Sequence, residues 1–308
     1  MTSNKDKPIS RRKIIGFGAL GVLVAGGIGG FELVDHNVLP GKQTLDQIDG
    51  ACDVNVPNMG FFPVGQSTNG SFYSHFRNRN VGYEIGYPPG YKEGENIPLV
   101  VMLHGFGGNH TDALYSMTPA QAVALKVDGK PLFKMALVTV DGGGGYWNPH
   151  PGDDPMSMVI YELIPMCNKL GLGVTPHSIA TMGISMGGFG ALMFAEHFTN
   201  IVGASAAISP AIWQSYSEAK NANAGAYANE AAFEKYNLFA DVGNLKAASV
   251  RIGAGVSDPF FPDVQKFSQL LPASAVIDFS NGCHTGPFFT SQEPASLQFL
   301  SEYFAAHS

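Results

Sequence analysis

Gly183-Ile184-Ser185-Met186-Gly187 sets a serine between two glycines at the spacing G-x-S-x-G. A serine hydroxyl is a weak nucleophile at neutral pH. It needs a base to take its proton and donors to hold the oxyanion that forms on the carbonyl it attacks. The glycines fit a serine carried on a sharp turn from strand to helix, where side chains two positions away on either side would collide. The apolar run Ser178–Met182 precedes the motif and helical spacing over Gly187–His197 follows it. A helix start at this point also favours the negative charge that develops in acyl transfer.

With this nucleophile, the acid and the base follow in the order Ser, Asp or Glu, His. Asp258, in Gly255-Val256-Ser257-Asp258-Pro259-Phe260, comes just after the apolar run Val250–Gly253. His284, in Asn281-Gly282-Cys283-His284-Thr285-Gly286, comes just after Ala275–Phe279. Asp263 and Asp241 are rivals for the acid, whereas His75, His197 and His307 read as surface residues. The oxyanion hole is expected to combine the Met186 backbone N–H with one from the loop Leu103-His104-Gly105-Phe106-Gly107-Gly108. Phe106 is preferred there over Gly105, and His104 reads as a structural, hydrogen-bonded histidine.

The glycine run Asp141-Gly142-Gly143-Gly144-Gly145-Tyr146-Trp147 lacks the Gly-Lys-Ser/Thr that would make it a phosphate cradle. It reads as a flexible pocket rim, with Asp141 and Trp147 as substrate-binding residues and Trp147 as an apolar or sugar-stacking wall. Asp153-Asp154 reads as a helix N-cap before Pro155. Neither CxxC nor a Cys/His ligand spacing is present, so a structural zinc site is not expected. Cys167 reads as a small buried apolar residue. Cys52 and Cys283 could form a bridge in an oxidising compartment, and the sequence leaves that open.

The elements that must position these residues follow from periodicity. Alternation from Val81 to Tyr87 gives a half-buried strand. Pro98–Leu103, Ala136–Val140, Ser178–Met182, Val202–Ile208, Val250–Gly253 and Ala275–Phe279 are short apolar runs of the length of buried parallel strands. Helical spacing runs over Met156–Leu170, where Pro165 should kink or break it, and over Gly187–His197, Asp263–Leu271 and Pro294–Ala306. The alternation predicts an α/β fold with a mostly parallel sheet, helices on both faces, and a site at the carboxyl ends of the strands. Residues 213–245, rich in Ala, Asn and Tyr, read as a small helical insertion over one edge of that site. The catalytic domain is expected over residues 81–308.

Residues 1–35 read as an address. A basic start precedes an uncharged run from Ile14 to Phe31, and Ser10-Arg11-Arg12-Lys13-Ile14-Ile15 resembles a twin-arginine export signal. With no good cleavage site after it, the run at 14–31 could tether the protein to the membrane, leaving it secreted, in the envelope or anchored. Residues 36–80 read as a linker or lead-in. A net charge of −7 with no basic stripe speaks against a nucleic-acid partner.

Leu103–Gly108, Asp141–Trp147, Gly183–Gly190, Ser257–Phe260 and Gly282–His284 together resemble the bacterial esterase family that includes S-formylglutathione hydrolase (esterase D) and the antigen 85 mycolyltransferases. The likeness covers roughly residues 81–306. It implies an α/β-hydrolase fold and a Ser-acid-His hydrolase or acyltransferase without metal or organic cofactor. By the resemblance, Ser185, Asp258 and His284 match the triad, and Phe106 with Met186 match the oxyanion donors. His104 stands where the antigen 85 pattern has an Asp. A serine carboxylesterase acting on a small-molecule or lipid ester is the leading expectation. The alternatives are an acyltransferase acting on an envelope sugar or glycolipid and, from another class, a non-catalytic envelope protein.

Overall fold

The computed structural model describes residue 46 and residues 49–308, apart from residues 58 and 62. The expected address at 1–35 lies outside the described residues, as does the possible tether at 14–31. Among the described residues no helix is long and apolar enough to cross a membrane. The chain divides into two compact units, Met1–Cys52 and Asp53–Ser308. In the first, Asp49–Cys52 form a turn. The second holds the fold that follows.

Its centre is an eight-stranded sheet in the order β11-β10-β9-β8-β4-β7-β3-β2. The strands are β2 (Ser67–Ser74), β3 (Arg79–Gly86), β4 (Leu99–Leu103), β7 (Ala136–Val140), β8 (Ile179–Ile184), β9 (Ala204–Ile208), β10 (Ser249–Gly255) and β11 (Val276–Ser280). All neighbours are parallel except β2 with β3 and β3 with β7. A separate small sheet joins β1 (Gly60–Phe61), β5 (Leu125–Val127) and β6 (Lys130–Pro131). Each strand expected from the apolar runs is present. β2 departs from the reading of residues 36–80 as a linker: Ser67–Ser74 forms an edge hairpin with β3. Its sequence STNGSFYS is mostly polar and mostly exposed, so no alternation marks it.

Burial on both faces explains why the central strands read as continuous apolar runs. Leu99, Val101 and Leu103 of β4 point into one core with Phe189, Leu192 and Met193 of the helix α4 (Met186–His197). Val100 and Met102 point into the other, with Phe288, Leu297, Leu300 and Phe304 of the helix α8 (Gly286–Ala306). That last helix begins eight residues before the expected start and runs through Pro294. A capping-box turn, α1 (Pro119–Ala122), opens the helical elements in chain order.

The expected helix at 156–170 is built of α2 (Pro155–Met158), a π-helical turn at Val159–Leu163 and α3 (Ile164–Asn168). Asp154 caps its start by accepting from the Ser157 N–H, as read from sequence. The wide turn lies just before Pro165, whose ring would crowd the carbonyl four residues back in a regular helix. The insertion is helical: α5 (Tyr216–Ala222), α6 (Glu230–Tyr236) and a 3₁₀ turn at Val242–Ala247. The helix α7 (Phe261–Ser268) follows β10.

Glu196 of α4 is buried, and neither carboxylate oxygen has a hydrogen-bond partner. Burial, aided by the nearby Asp241 charge, pushes its carboxyl up to about 8. Next to it His197, expected at the surface, is half-buried, with burial pushing its imidazole down. A carboxyl that is neutral in the fold and ionised in the unfolded chain contributes its stability at low pH. That contribution is lost as pH rises from the ordinary carboxylate range toward 8. Glu196→Gln should therefore flatten the decline in stability between pH 5 and 8, by roughly 1–3 kcal/mol in urea unfolding. An unchanged slope would show that Glu196 is not the group responsible.

Candidate active site

Ser185 follows β8 and stands at the N-cap of α4 with φ 57° and ψ −117°, a conformation that L residues rarely adopt. Three backbone bonds hold the turn: the Ser185 N–H donates to Ile208, and its carbonyl accepts from the N–H groups of Phe189 and Ala211. The flanking glycines are required by contact. A Cβ on Gly183 would stand 2.1 Å from the Gly187 carbonyl oxygen, and one on Gly187 would stand 1.9 Å from that of Leu103. The helix thus sits on the strand ends with no room for a side chain between them.

The structure brings the three expected polar residues together. His284 Nε2 lies 2.8 Å from Ser185 Oγ, and His284 Nδ1 lies 2.8 Å from Asp258 Oδ2. The other Asp258 oxygen accepts from the Phe260 N–H at 2.9 Å, and the residue is only 4% exposed. Phe260 and Phe289 meet the imidazole edge-to-face at 5.1 and 4.9 Å. Of the rival acids, Asp263, on α7, accepts from the Gln214 side-chain amide, and Asp241 heads the 3₁₀ turn beside Glu196. Neither reaches His284. The acid and histidine loops are themselves joined, since Val256 N–H donates to the Ser280 carbonyl and Ser257 N–H to that of Gly282.

The loop from Leu103 to Gly108 passes beside the serine: a Cβ on Gly105 would lie 3.8 Å from Ser185 Cβ. His104 is fully buried. Its Nε2 accepts from the Gly142 N–H at 2.9 Å, so Nδ1 carries the proton and donates to the Gly105 carbonyl at 2.8 Å. Burial pushes its imidazole below the usual range, which keeps it neutral. The Gly105 carbonyl and the Phe106 N–H share one peptide plane and point opposite ways. Holding the carbonyl therefore aims the N–H.

Two sequence expectations need correction. Trp147 is fully buried and does not face a ligand. Its indole fills the space left by Gly142 and Gly190, where a Cβ would meet the ring at 2.2 and 2.8 Å, and its N–H donates to the His104 carbonyl. Asp141 is half-buried, its side chain 32% exposed, and its carboxylate is engaged by the fold: it accepts from the N–H groups of Gly82 and His110 and from His110 Nδ1. Burial works against its ionisation, but these bonds prevail and hold the carboxyl below the ordinary range.

Nor is the glycine run a loose rim. Added Cβ atoms at Gly143 and Gly145 would meet Arg77 at 2.5 Å and His150 at 2.8 Å. Arg77, unremarked in the sequence, is buried; it grips Asp153 through Nε and Nη2 and holds the Asp141 carbonyl through Nη1. Phe260 and Phe289 were also missed, because nothing in a lone Phe marks it as a neighbour of an imidazole.

A nucleophile turn at the end of a parallel strand, with an acid and a histidine on the following strand ends, defines a serine hydrolase of the α/β-hydrolase fold. The chain belongs to the esterase family described as "Putative esterase", whose sequence profile matches residues 74–276. No curated protein matches it in sequence. Solved structures of similar fold include a ferulic acid esterase (TM-score 0.64, 18% identity, covering 78% of this chain and 99% of that one). An S-formylglutathione hydrolase from Agrobacterium tumefaciens is similar over 82% of this chain and 100% of its own, with TM-score 0.63 and 16% identity. Mycobacterium tuberculosis MPT51 (FbpC1) is similar over 78% and 99%, with TM-score 0.61 and 14% identity.

The two kinds of glycine at this site should separate on substitution. Gly187→Ala drives a Cβ into backbone and should cost about 3 kcal/mol or more, or prevent folding. Gly107→Ala meets nothing within 4 Å and carries only the strain of φ 79°, about 1–2 kcal/mol. Urea midpoints of the two variants measure the difference.

Proposed function

We propose that this enzyme is a carboxylesterase working through Ser185, His284 and Asp258. The observation that carries the reading is the unbroken relay from Ser185 Oγ through both imidazole nitrogens to a buried Asp258, each link at 2.8 Å. His284 takes the serine proton as the oxygen attacks the ester carbonyl, and Asp258 holds the ring in the tautomer that leaves Nε2 free to accept. The carbonyl oxygen becomes an oxyanion facing two backbone donors. One is the Met186 N–H, in the first turn of α4, where helical N–H groups have no intrahelical acceptor. The other is the Phe106 N–H, in the peptide that His104 orients. The alcohol leaves with the proton from His284, and water then resolves the acyl-enzyme by the same steps in reverse. The names of two structural neighbours, a ferulic acid esterase and an S-formylglutathione hydrolase, support acyl hydrolysis.

The protein is further proposed to act outside the inner membrane. Arg11-Arg12 ahead of an uncharged run supports this, and so do Cys52 and Cys283, both disulfide-bonded, as expected of an oxidising compartment.

With p-nitrophenyl butyrate as substrate, Ser185→Ala should lower kcat by roughly 10⁴- to 10⁶-fold and abolish labelling by a fluorophosphonate. Asp258→Asn should lower kcat by about 10⁴-fold through the wrong imidazole tautomer. Wild-type turnover in Ser185→Ala would refute the reading, and an acylated sugar formed on adding sugar would make the enzyme a transferase. For location, replacing Arg11 and Arg12 by Lys should leave the protein in the cytoplasm, as read by fractionation. Unchanged export would refute the twin-arginine route.

A further inference from the structure

The His284 imidazole is held by two hydrogen bonds and met by two aromatic rings. The bonds run from Nδ1 to Asp258 and from Nε2 to Ser185. The rings are those of Phe260, at the N-cap of α7, and Phe289, in the first turn of α8. Phe260 serves both members of the acid–base pair. Its N–H donates to the second Asp258 oxygen at 2.9 Å, and its ring meets the imidazole at 5.1 Å. Phe289 is buried and meets the same imidazole at 4.9 Å.

Each ring is braced in turn. The buried Trp213 meets Phe260 edge-to-face at 5.5 Å. Tyr115 meets Phe289 edge-to-face at 4.9 Å. The Tyr115 backbone is itself fixed by Glu293 of α8, a completely buried residue. Glu293 Oε1 accepts from the Tyr115 N–H and Oε2 from the Ser116 hydroxyl, both at 2.6 Å. The aromatic contacts on His284 therefore rest on packed side chains on both sides.

The reaction makes unequal use of the two hydrogen bonds. In acylation Ser185 Oγ bonds to the acyl carbon and passes its proton to Nε2; the bond from that carbon to the alkoxy oxygen breaks, and the alkoxy oxygen takes the proton away. Oγ is then an ester oxygen with no proton to give, so Nε2 has lost its partner. In deacylation a water gives its proton to Nε2 as it attacks the acyl carbon. Oγ recovers that proton when its bond to the carbon breaks and the acid departs. At the start of this second half the ring keeps one hydrogen bond to the protein, at Nδ1. The terminal torsion of a histidine is soft, and a misplacement of about 1 Å can cost roughly 100-fold in rate. Resting on the reading of Ser185 and His284 above, we infer that Phe260 and Phe289 are positioning residues that hold the His284 imidazole while the acyl group occupies Ser185. Their contribution is largest in deacylation.

Stopped-flow hydrolysis of p-nitrophenyl butyrate separates the two halves, because p-nitrophenol appears in the first and turnover waits on the second. Phe260→Leu and Phe289→Leu keep an apolar side chain and remove the ring. Each should slow deacylation about 3- to 10-fold and acylation by less than about twofold. The burst of p-nitrophenol then sharpens, and kcat and KM fall together while kcat/KM holds. Phe260→Tyr, which keeps the ring, should recover most of the deacylation rate. A deacylation defect in one leucine variant alone assigns the role to that ring. Acylation and deacylation slowed by the same factor, as a purely structural loss would have it, overturns the inference, and so does no change in either. Where a leucine variant fails to fold, methionine at the same position makes the comparison. Fluorophosphonate labelling keeps the two readings apart: label retained in variants with equal losses sinks the positioning role alone, whereas a wild type that takes no label sinks the reading of Ser185 itself.

Discussion

The structure depends on how closely α4 can approach the ends of β4 and β8. A helix normally lies about 10 Å from a sheet because side chains separate them. Here Gly183 and Gly187 remove the spacer where backbone meets backbone, and the serine between them is forced to a positive φ. The strain is held by three backbone hydrogen bonds and by the apolar burial of nearly the whole helix. Both ends of the chemistry follow from that contact. The serine oxygen is lifted clear of the sheet toward His284, and the first free N–H groups of the helix lie beneath it.

A second layer of order supports the first. Trp147 holds the His104 carbonyl, Gly142 holds the His104 ring, and that ring holds the Gly105 carbonyl. The last two links use the one acceptor and the one donor of a neutral, buried imidazole, and the first holds the backbone carbonyl of the same residue. Tyr146 and Trp147 pass through positive φ to make this possible, and Asn148 secures the bend by donating to Gly145, Tyr146 and, across the insertion, Ala226. Tryptophan therefore does its work from the core side of the loop.

The parallel core was legible because both of its faces are covered, which turns each strand into an unbroken apolar run. The relay was legible because chain order and strand ends place Ser185, Asp258 and His284 on one side of the sheet. β2 was not, since a polar edge strand exposed along most of its length has no period to read. Trp147 was misread because an aromatic residue in a glycine run suggests a surface, whereas these glycines are small because Trp147, Arg77 and His150 need the space. Glu293 left no trace either, because its partners lie 178 and 177 positions away in the chain.

The backbone bonds between the acid and histidine loops bear on how the site would come apart. Gly255 and Gly282 approach so closely that an added Cβ would lie 2.2 Å from the Gly282 oxygen, and Val256 and Ser257 fasten the two loops together. Asp258 and His284 are thus tied to one another by backbone bonds of their own, besides the bond between their side chains, whereas Ser185 is held by the turn between β8 and α4. A displacement at the edge of the sheet that carried both loops together would leave the carboxylate–imidazole pair intact and open the gap between imidazole and hydroxyl.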